Sequence, residues 1–101
     1  MNAKLLDLAY VLRKENKSES AQAAAAAEIK AKLPGVTPQE IADANARVDA
    51  LIAAACEWAE ELRGPSNDGQ GQPSFTVQER CPGFSQATYR DAEAWGLYLT
   101  K

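Results

Sequence analysis

The sequence predicts a mainly α-helical fold, an antiparallel helical hairpin with an additional C-terminal helix. Three observations predict it: a complete helix-start signal at residues 36–41, an apolar stripe of helical period after it, and a short Pro-Gly connection before it. A chain of 101 residues has the usual size of one domain. We expect one structural domain with three parts, a hairpin at residues 1–63, a flexible linker at 64–74 and an aromatic-rich segment at 75–101.

The central helix has the clearest signals in the sequence. Thr37 and Glu40 have the spacing of a capping box, in which each side chain accepts a hydrogen bond from the other residue's backbone amide. Val36 can close over Ile41 as a hydrophobic staple, and Pro38 suits the first helical position. Apolar residues then recur at steps of three and four, which places them on one stripe of this helix: Ile41, Ala44, Val48, Leu51, Ala55, Trp58 and Leu62.

The central helix is expected to span residues 38–63, because Gly64 and Pro65 end the periodic pattern. Upstream of it, two shorter apolar stripes are separated by a polar stretch around Asn16. This segment is either one long helix or two helices that meet near Asn16, and we favour a break there. The members of the two stripes are Leu5, Leu8 and Leu12, and then Ala25 or Ala26 with Ile29 and Leu33.

The hairpin follows from the connection between the upstream segment and the central helix. Residues 34–37 are Pro-Gly-Val-Thr, and short connections place neighbouring helices antiparallel. Residues 1–35 carry six basic and four acidic side chains, whereas residues 36–64 carry two basic and six acidic ones. Opposite net charges on adjacent helices support this pairing, although exposed ion pairs contribute only a few tenths of a kcal/mol each.

The C-terminal segment is expected to end in a helix. Residues 75–77 have the composition of a short extended stretch, and residues 81–83, Cys-Pro-Gly, form a turn. Ser85 is placed to cap the last helix, with Phe84 and Tyr89 spaced as a second staple. We expect this helix to run to about residue 99.

The composition excludes several classes of function. The chain has no histidine and only two cysteines, Cys56 and Cys81, so we expect no metal site, no cofactor and no enzyme activity. We interpret the carboxylates of Glu57, Glu60 and Glu61 as a solvated surface. A net charge of −3 argues against binding to duplex nucleic acid, because such binding needs basic side chains at the phosphates.

Localisation is predicted from the same composition. No stretch is long and apolar enough to span a membrane, and an acidic residue, Asp7, lies where a signal peptide would be apolar. We therefore expect a cytoplasmic protein with both cysteines reduced and with no membrane partner.

Five of the seven aromatic residues lie in the last 27 positions, beside two arginines. Aromatic and arginine side chains are enriched at the centres of protein interfaces. We assign Trp95 and Leu99 to packing on the hairpin, and we expect the candidates for partner contact to be exposed: Tyr89, Arg90, Tyr98 and Arg80. The residues expected to have structural roles are Thr37, Glu40, Trp58 and Trp95.

These features favour a non-enzymatic, acidic, helical protein-binding module that acts as an inhibitor, adaptor or assembly factor on a protein partner of unknown identity. Short acidic helical chains without motifs are frequent among phage and mobile-element accessory proteins, including those that block host defence such as CRISPR. The alternative is a binder of a small anionic ligand or nucleotide through Arg80, Arg90 and the C-terminal aromatic residues. A second apolar stripe at Ile52, Cys56 and Ala59 needs either the C-terminal helix or a second subunit to cover it, and we favour a homodimer.

Overall fold

The computed structural model describes residues 3–15, 19–64 and 71–100, with residues 19–25 described by their backbone alone. Over these ranges the chain forms α-helices and no strand, so the predicted mainly α-helical class is confirmed. The five helices are α1 (Ala3–Glu15), α2 (Glu19–Lys32), α3 (Pro38–Arg63), α4 (Val77–Arg80) and α5 (Gln86–Leu99).

The chain groups into two compact units, residues 1–48 and 49–101, and α3 contributes its first part to one and its remainder to the other. The division into hairpin, linker and C-terminal segment stays a prediction, and so does the antiparallel pairing of the hairpin.

In the first unit, α1 and α2 pack against each other, which one straight helix could not do. Two helices are therefore present, as favoured from the sequence, although the predicted break at Asn16 itself lies outside the described residues. The buried face of α1 is wider than the predicted leucine stripe, because it includes Leu6 and Tyr10, while Leu8 is only half-buried. On α2, Ile29 is the buried residue among the side chains that the structure describes.

The start of α3 has the predicted capping box. The Thr37 amide donates to Glu40 Oε1 at 3.1 Å, and the Glu40 amide donates to Thr37 Oγ1 at 3.1 Å. These bonds satisfy two amides at the helix N-terminus that have no partner within the helix. Ile41 is buried and Val36 is half-buried, and the staple contact between them stays a prediction.

The end of α3 also agrees with the sequence prediction. The helix ends at Arg63, and Gly64 follows with φ of 69°, a left-handed conformation that glycine adopts without steric cost. Along the predicted stripe the first five residues are buried, whereas Trp58 and Leu62 near the end are half-buried.

The predicted linker lies mostly at residues 65–70, outside the described residues. Its described end is attached to α3 by hydrogen bonds. The Gly71 amide donates to Leu62 O at 2.7 Å, and both the amide and the hydroxyl of Ser74 donate to Glu61 Oε1 at 2.9 Å. Residues 71–74 therefore lie alongside the last turn of α3.

The prediction of an extended stretch at residues 75–77 is wrong, because Val77 is the first residue of the short helix α4. Thr76 is extended and is the N-cap of α4: its hydroxyl oxygen accepts from the Glu79 amide at 3.1 Å. The turn at residues 81–83 and the cap of α5 are confirmed, since Ser85 Oγ accepts from the Thr88 amide at 3.2 Å.

The buried face of α5 consists of Thr88, Tyr89, Ala92 and Gly96. Gly96 lies directly on α3, where a Cβ atom built on it would be 2.5 Å from Ala55 O. The predicted packing face was centred on Trp95 and Leu99, and this is wrong for Leu99, which is 46% exposed, while Trp95 is half-buried. The helix approaches α3 through a small residue instead of a bulky one.

Candidate functional site

Three residues near the end of α5 form an exposed apolar surface, which we call the Tyr98 face: Trp95, Tyr98 and Leu99. Tyr98 is 61% exposed, and its ring stacks on that of Trp95 with centroids 5.3 Å apart and planes 20° from parallel. Residues three and four apart are neighbours on a helix surface, so Leu99 adjoins Trp95 on the other side. The face thus combines two exposed side chains with a stacked pair of rings.

Arg90 is exposed, as expected of a partner-contact residue. It lies on α5 about two turns before Tyr98, displaced around the helix from the Trp95 side of the face. Arg90 therefore lies outside the Tyr98 face.

Tyr89 is not exposed, and its assignment to a partner surface is corrected. Only 4% of the residue is accessible, and its ring meets that of Phe84 edge-on with centroids 5.9 Å apart. Its hydroxyl donates to Cys81 O at 2.7 Å and accepts from the Phe84 amide at 3.1 Å. Tyr89 thus connects the turn before α5 to the first turns of that helix through hydrogen bonds, and its role is structural.

Arg80 is exposed, but its guanidinium group already has two partners within the second unit. Nη1 donates to Glu57 Oε2 at 2.5 Å, and Cζ lies 3.6 Å from the centroid of the Phe75 ring. The residue joins α4 to α3 and covers the Phe75 ring. A partner that used Arg80 would first have to displace these contacts.

The carboxylates at the end of α3 have structural contacts as well. Glu57 pairs with Arg80, and the hydrogen bonds from the Ser74 amide and hydroxyl lower the pKa of Glu61. This pKa is lower in the folded chain than in the unfolded one. The contact therefore stabilises the fold at pH values above the ordinary pKa of a glutamate, and this stabilisation is lost as the pH falls through the lowered pKa. Within the described residues, no group of three His, Cys, Asp or Glu side chains is placed to hold a metal ion.

The two cysteines are free thiols, as expected, with Cys81 buried and Cys56 half-buried. Burial raises the pKa of both thiols, and the charge of Glu60 raises the pKa of Cys56 further. A raised pKa keeps a thiol protonated at neutral pH, and the thiolate is the nucleophilic form. For Cys81 the charge of Arg80 lowers the pKa, but burial is the larger cause and the net shift is upward.

The first unit has an open cavity of about 340 Å³ between the end of α2 and the start of α3. The described residues that line it are one charged residue, Lys30, and four apolar ones, Ala26, Ala27, Pro38 and Ile41. Small-molecule sites usually present several convergent polar groups that fix the ligand. The described part of this lining has no such set, so the cavity is a weaker candidate site.

The chain matches no protein family, no curated protein and no solved structure. Among the helices described, none combines the length and the apolar character needed to cross a lipid bilayer.

Sequence reasoning missed one residue beside the Tyr98 face. Arg63, the last residue of α3, donates from Nη1 to Thr100 Oγ1 and from Nη2 to Leu97 O. A pairing between positions more than thirty residues apart has no local sequence signal. Four residues were expected to have structural roles. Thr37 and Glu40 form the capping box at the start of α3, and Trp58 and Trp95 are half-buried.

Proposed function

We propose that this chain is a non-enzymatic protein-binding module whose contact centre is the Tyr98 face. The observation that carries the proposal is a tyrosine ring that is 61% exposed and yet held in a stack against Trp95. An aromatic ring with a fixed orientation buries a large area on binding at a small cost in conformational entropy.

The distribution of exposed apolar side chains supports the same proposal. Among the described residues, the large hydrophobic side chains that are exposed are Val11, Tyr98 and Leu99. Two of the three are adjacent in sequence and adjoin the half-buried Trp95. Single exposed apolar residues are normal on protein surfaces, whereas a contiguous group marks an interaction site.

We propose that the module acts as an inhibitor, adaptor or assembly factor. One such role is that of a phage accessory protein that blocks host defence. We also propose a cytoplasmic location, since a reducing compartment would keep Cys56 and Cys81 as free thiols. Its acidic net charge of −3 favours a protein partner over duplex nucleic acid.

Site-specific photo-crosslinking tests the proposal. Tyr98 is replaced by the photoreactive amino acid p-benzoylphenylalanine in the full chain, and the matched control carries it at Ala53, an exposed position of α3. We expect a discrete adduct on illumination of the Tyr98 variant in the producing cell and none from the Ala53 variant. Equal adducts from both positions, or none from Tyr98, would contradict a contact centre at the Tyr98 face.

The ligand-binding alternative has weaker support, because Arg80 is engaged with Glu57 and Phe75 while Tyr89 is buried. A thermal-shift measurement with nucleoside triphosphates separates the two functions. A nucleotide at 100 times its dissociation constant stabilises a protein by about 2.7 kcal/mol. A shift of that size, together with no adduct at Tyr98, would favour the alternative.

A further inference from the structure

The last turn of α5 carries the two exposed residues of the Tyr98 face, and it is also a helix end. The last four carbonyl groups of an α-helix have no partner within the helix, and helix ends fray unless other groups satisfy them. Thr100, the C-cap, satisfies one of them, because its amide and hydroxyl both donate to Gly96 O, at 3.1 and 2.8 Å.

Arg63 satisfies a second of these carbonyls. One guanidinium nitrogen donates to Leu97 O, and the other donates to the Thr100 hydroxyl, which in turn donates to Gly96 O. A cation at the C-terminal end of a helix also interacts favourably with the helix dipole. The guanidinium group therefore bridges two residues that lie on either side of Tyr98 and Leu99 in the sequence.

The start of the same turn is held by a different contact. Gly96 has no side chain, and its Cα approaches the Ala55 carbonyl so closely that no Cβ could be accommodated there. The turn is thus fixed at Gly96 by α3 and at Leu97 and Thr100 by Arg63. Tyr98 and Leu99 point outward from a turn that is held at both ends.

We infer that Arg63 is a positioning residue for the Tyr98 face: its two hydrogen bonds order the last turn of α5 and so present Tyr98 and Leu99 in one conformation. This inference rests on the proposed function for its effect on binding. A partner that meets an ordered turn does not lose free energy in ordering it, whereas a frayed turn lowers the population of the binding-competent state.

The first test measures hydrogen exchange of the backbone amides in Arg63→Met, which keeps the length of the side chain and removes its donors. The matched control is Arg47→Met, at an exposed arginine earlier on α3. We expect exchange at residues 98–100 to become about tenfold faster in Arg63→Met and to stay unchanged in the control. Parent-like exchange at residues 98–100 in Arg63→Met would overturn the inference, whatever the chain binds.

The second test uses the p-benzoylphenylalanine at position 98 as a readout that a purely structural role would not change. We expect Arg63→Met to lower the adduct yield about fivefold or more at equal protein concentration, and Arg63→Lys, which keeps the charge, to restore part of it. Faster exchange with an undiminished yield would show that Arg63 stabilises the turn without positioning the face. No adduct in the parent would instead refute the proposed function.

Thr100→Val provides an independent variant in case Arg63→Met does not fold. It removes the hydroxyl that accepts from Arg63 and donates to Gly96 O, and Thr100 is not one of the buried residues of α5, so the substitution leaves the core intact. We expect the same local increase in exchange and the same loss of adduct. If Thr100→Val is indistinguishable from the parent in both measurements, the hydroxyl bridge does not order the turn and the inference fails.

Discussion

At the scale of single residues, Tyr89 shows how one side chain can connect a turn to a helix. Its hydroxyl is both a donor to Cys81 O and an acceptor from the Phe84 amide, and all three groups are buried. Buried backbone groups that lose a hydrogen-bond partner pay the full cost of their desolvation. The Tyr89 hydroxyl oxygen therefore links two backbone groups of the turn at residues 81–84.

Tyr89→Phe should destabilise the fold although it keeps the ring and its edge-on contact with Phe84. We expect a loss of about 1–3 kcal/mol, because Cys81 O and the Phe84 amide are left without a partner in a buried site. Chemical denaturation followed by circular dichroism measures the change. A Tyr89→Phe variant that unfolds at the same denaturant concentration as the parent would contradict the structural role of Tyr89.

At the scale of helices, α5 is the element whose extent the sequence predicts and whose orientation it does not. Ser85 and the Phe84 and Tyr89 staple fix where the helix starts, and these local signals are confirmed. The bulky Trp95 and Leu99 suggest one packing face, but the observed face is rotated toward Tyr89 and Gly96. Hydrophobic periodicity identifies which residues could form a packing stripe. The closest contact between two helices instead occurs at the smallest residue, and a hydrophobicity pattern does not show where that contact will be.

The other differences have equally local causes. The helix α4 has four residues, too few for an apolar period, although the Thr76 and Glu79 spacing of a helix cap was present in the sequence. The bonds from Arg63 to Leu97 and Thr100 join distant positions, and no pattern of neighbouring residues encodes them. In contrast, the full extent of α3 was predictable because its start and end signals are both local.

Gly96→Ala should test the close approach of α5 to α3. Alanine favours a helix over glycine by about 1 kcal/mol, so the substitution would stabilise an unobstructed helix. Here the new Cβ would lie 2.5 Å from Ala55 O, and α5 must shift away from α3. We expect a net loss of about 1–3 kcal/mol in thermal or chemical unfolding.

Gly35→Ala is the matched control for Gly96→Ala, because nothing lies within 4 Å of a Cβ at that position. We expect its stability to equal that of the parent or to rise slightly, since alanine restricts the unfolded chain. If Gly96→Ala is at least as stable as the parent, α5 does not contact α3 at Ala55.

At the scale of the whole molecule, the open question is what covers the apolar surface of the chain. The second stripe of α3 was expected to need either the C-terminal helix or a second subunit. Ala59 has no exposed surface, and Ile52 and Cys56 are half-buried within a single chain. Part of this stripe is thus covered within a single chain, and the homodimer stays a prediction.

We expect a homodimer to use the Tyr98 face, because that face carries the exposed apolar side chains of Tyr98 and Leu99. Light scattering over a range of concentrations tests this. We expect a species of about twice the 10.9 kDa chain mass at high concentration. Tyr98→Asp places a charge in the contact centre and should leave a single chain at every concentration, because an unpaired buried charge is strongly unfavourable. The parent remaining a single chain throughout would remove the homodimer. A dimer that survives Tyr98→Asp would place the subunit contact elsewhere on the chain. The Tyr98 face would then be available to a different protein partner in the dimer, and the two kinds of binding would not compete.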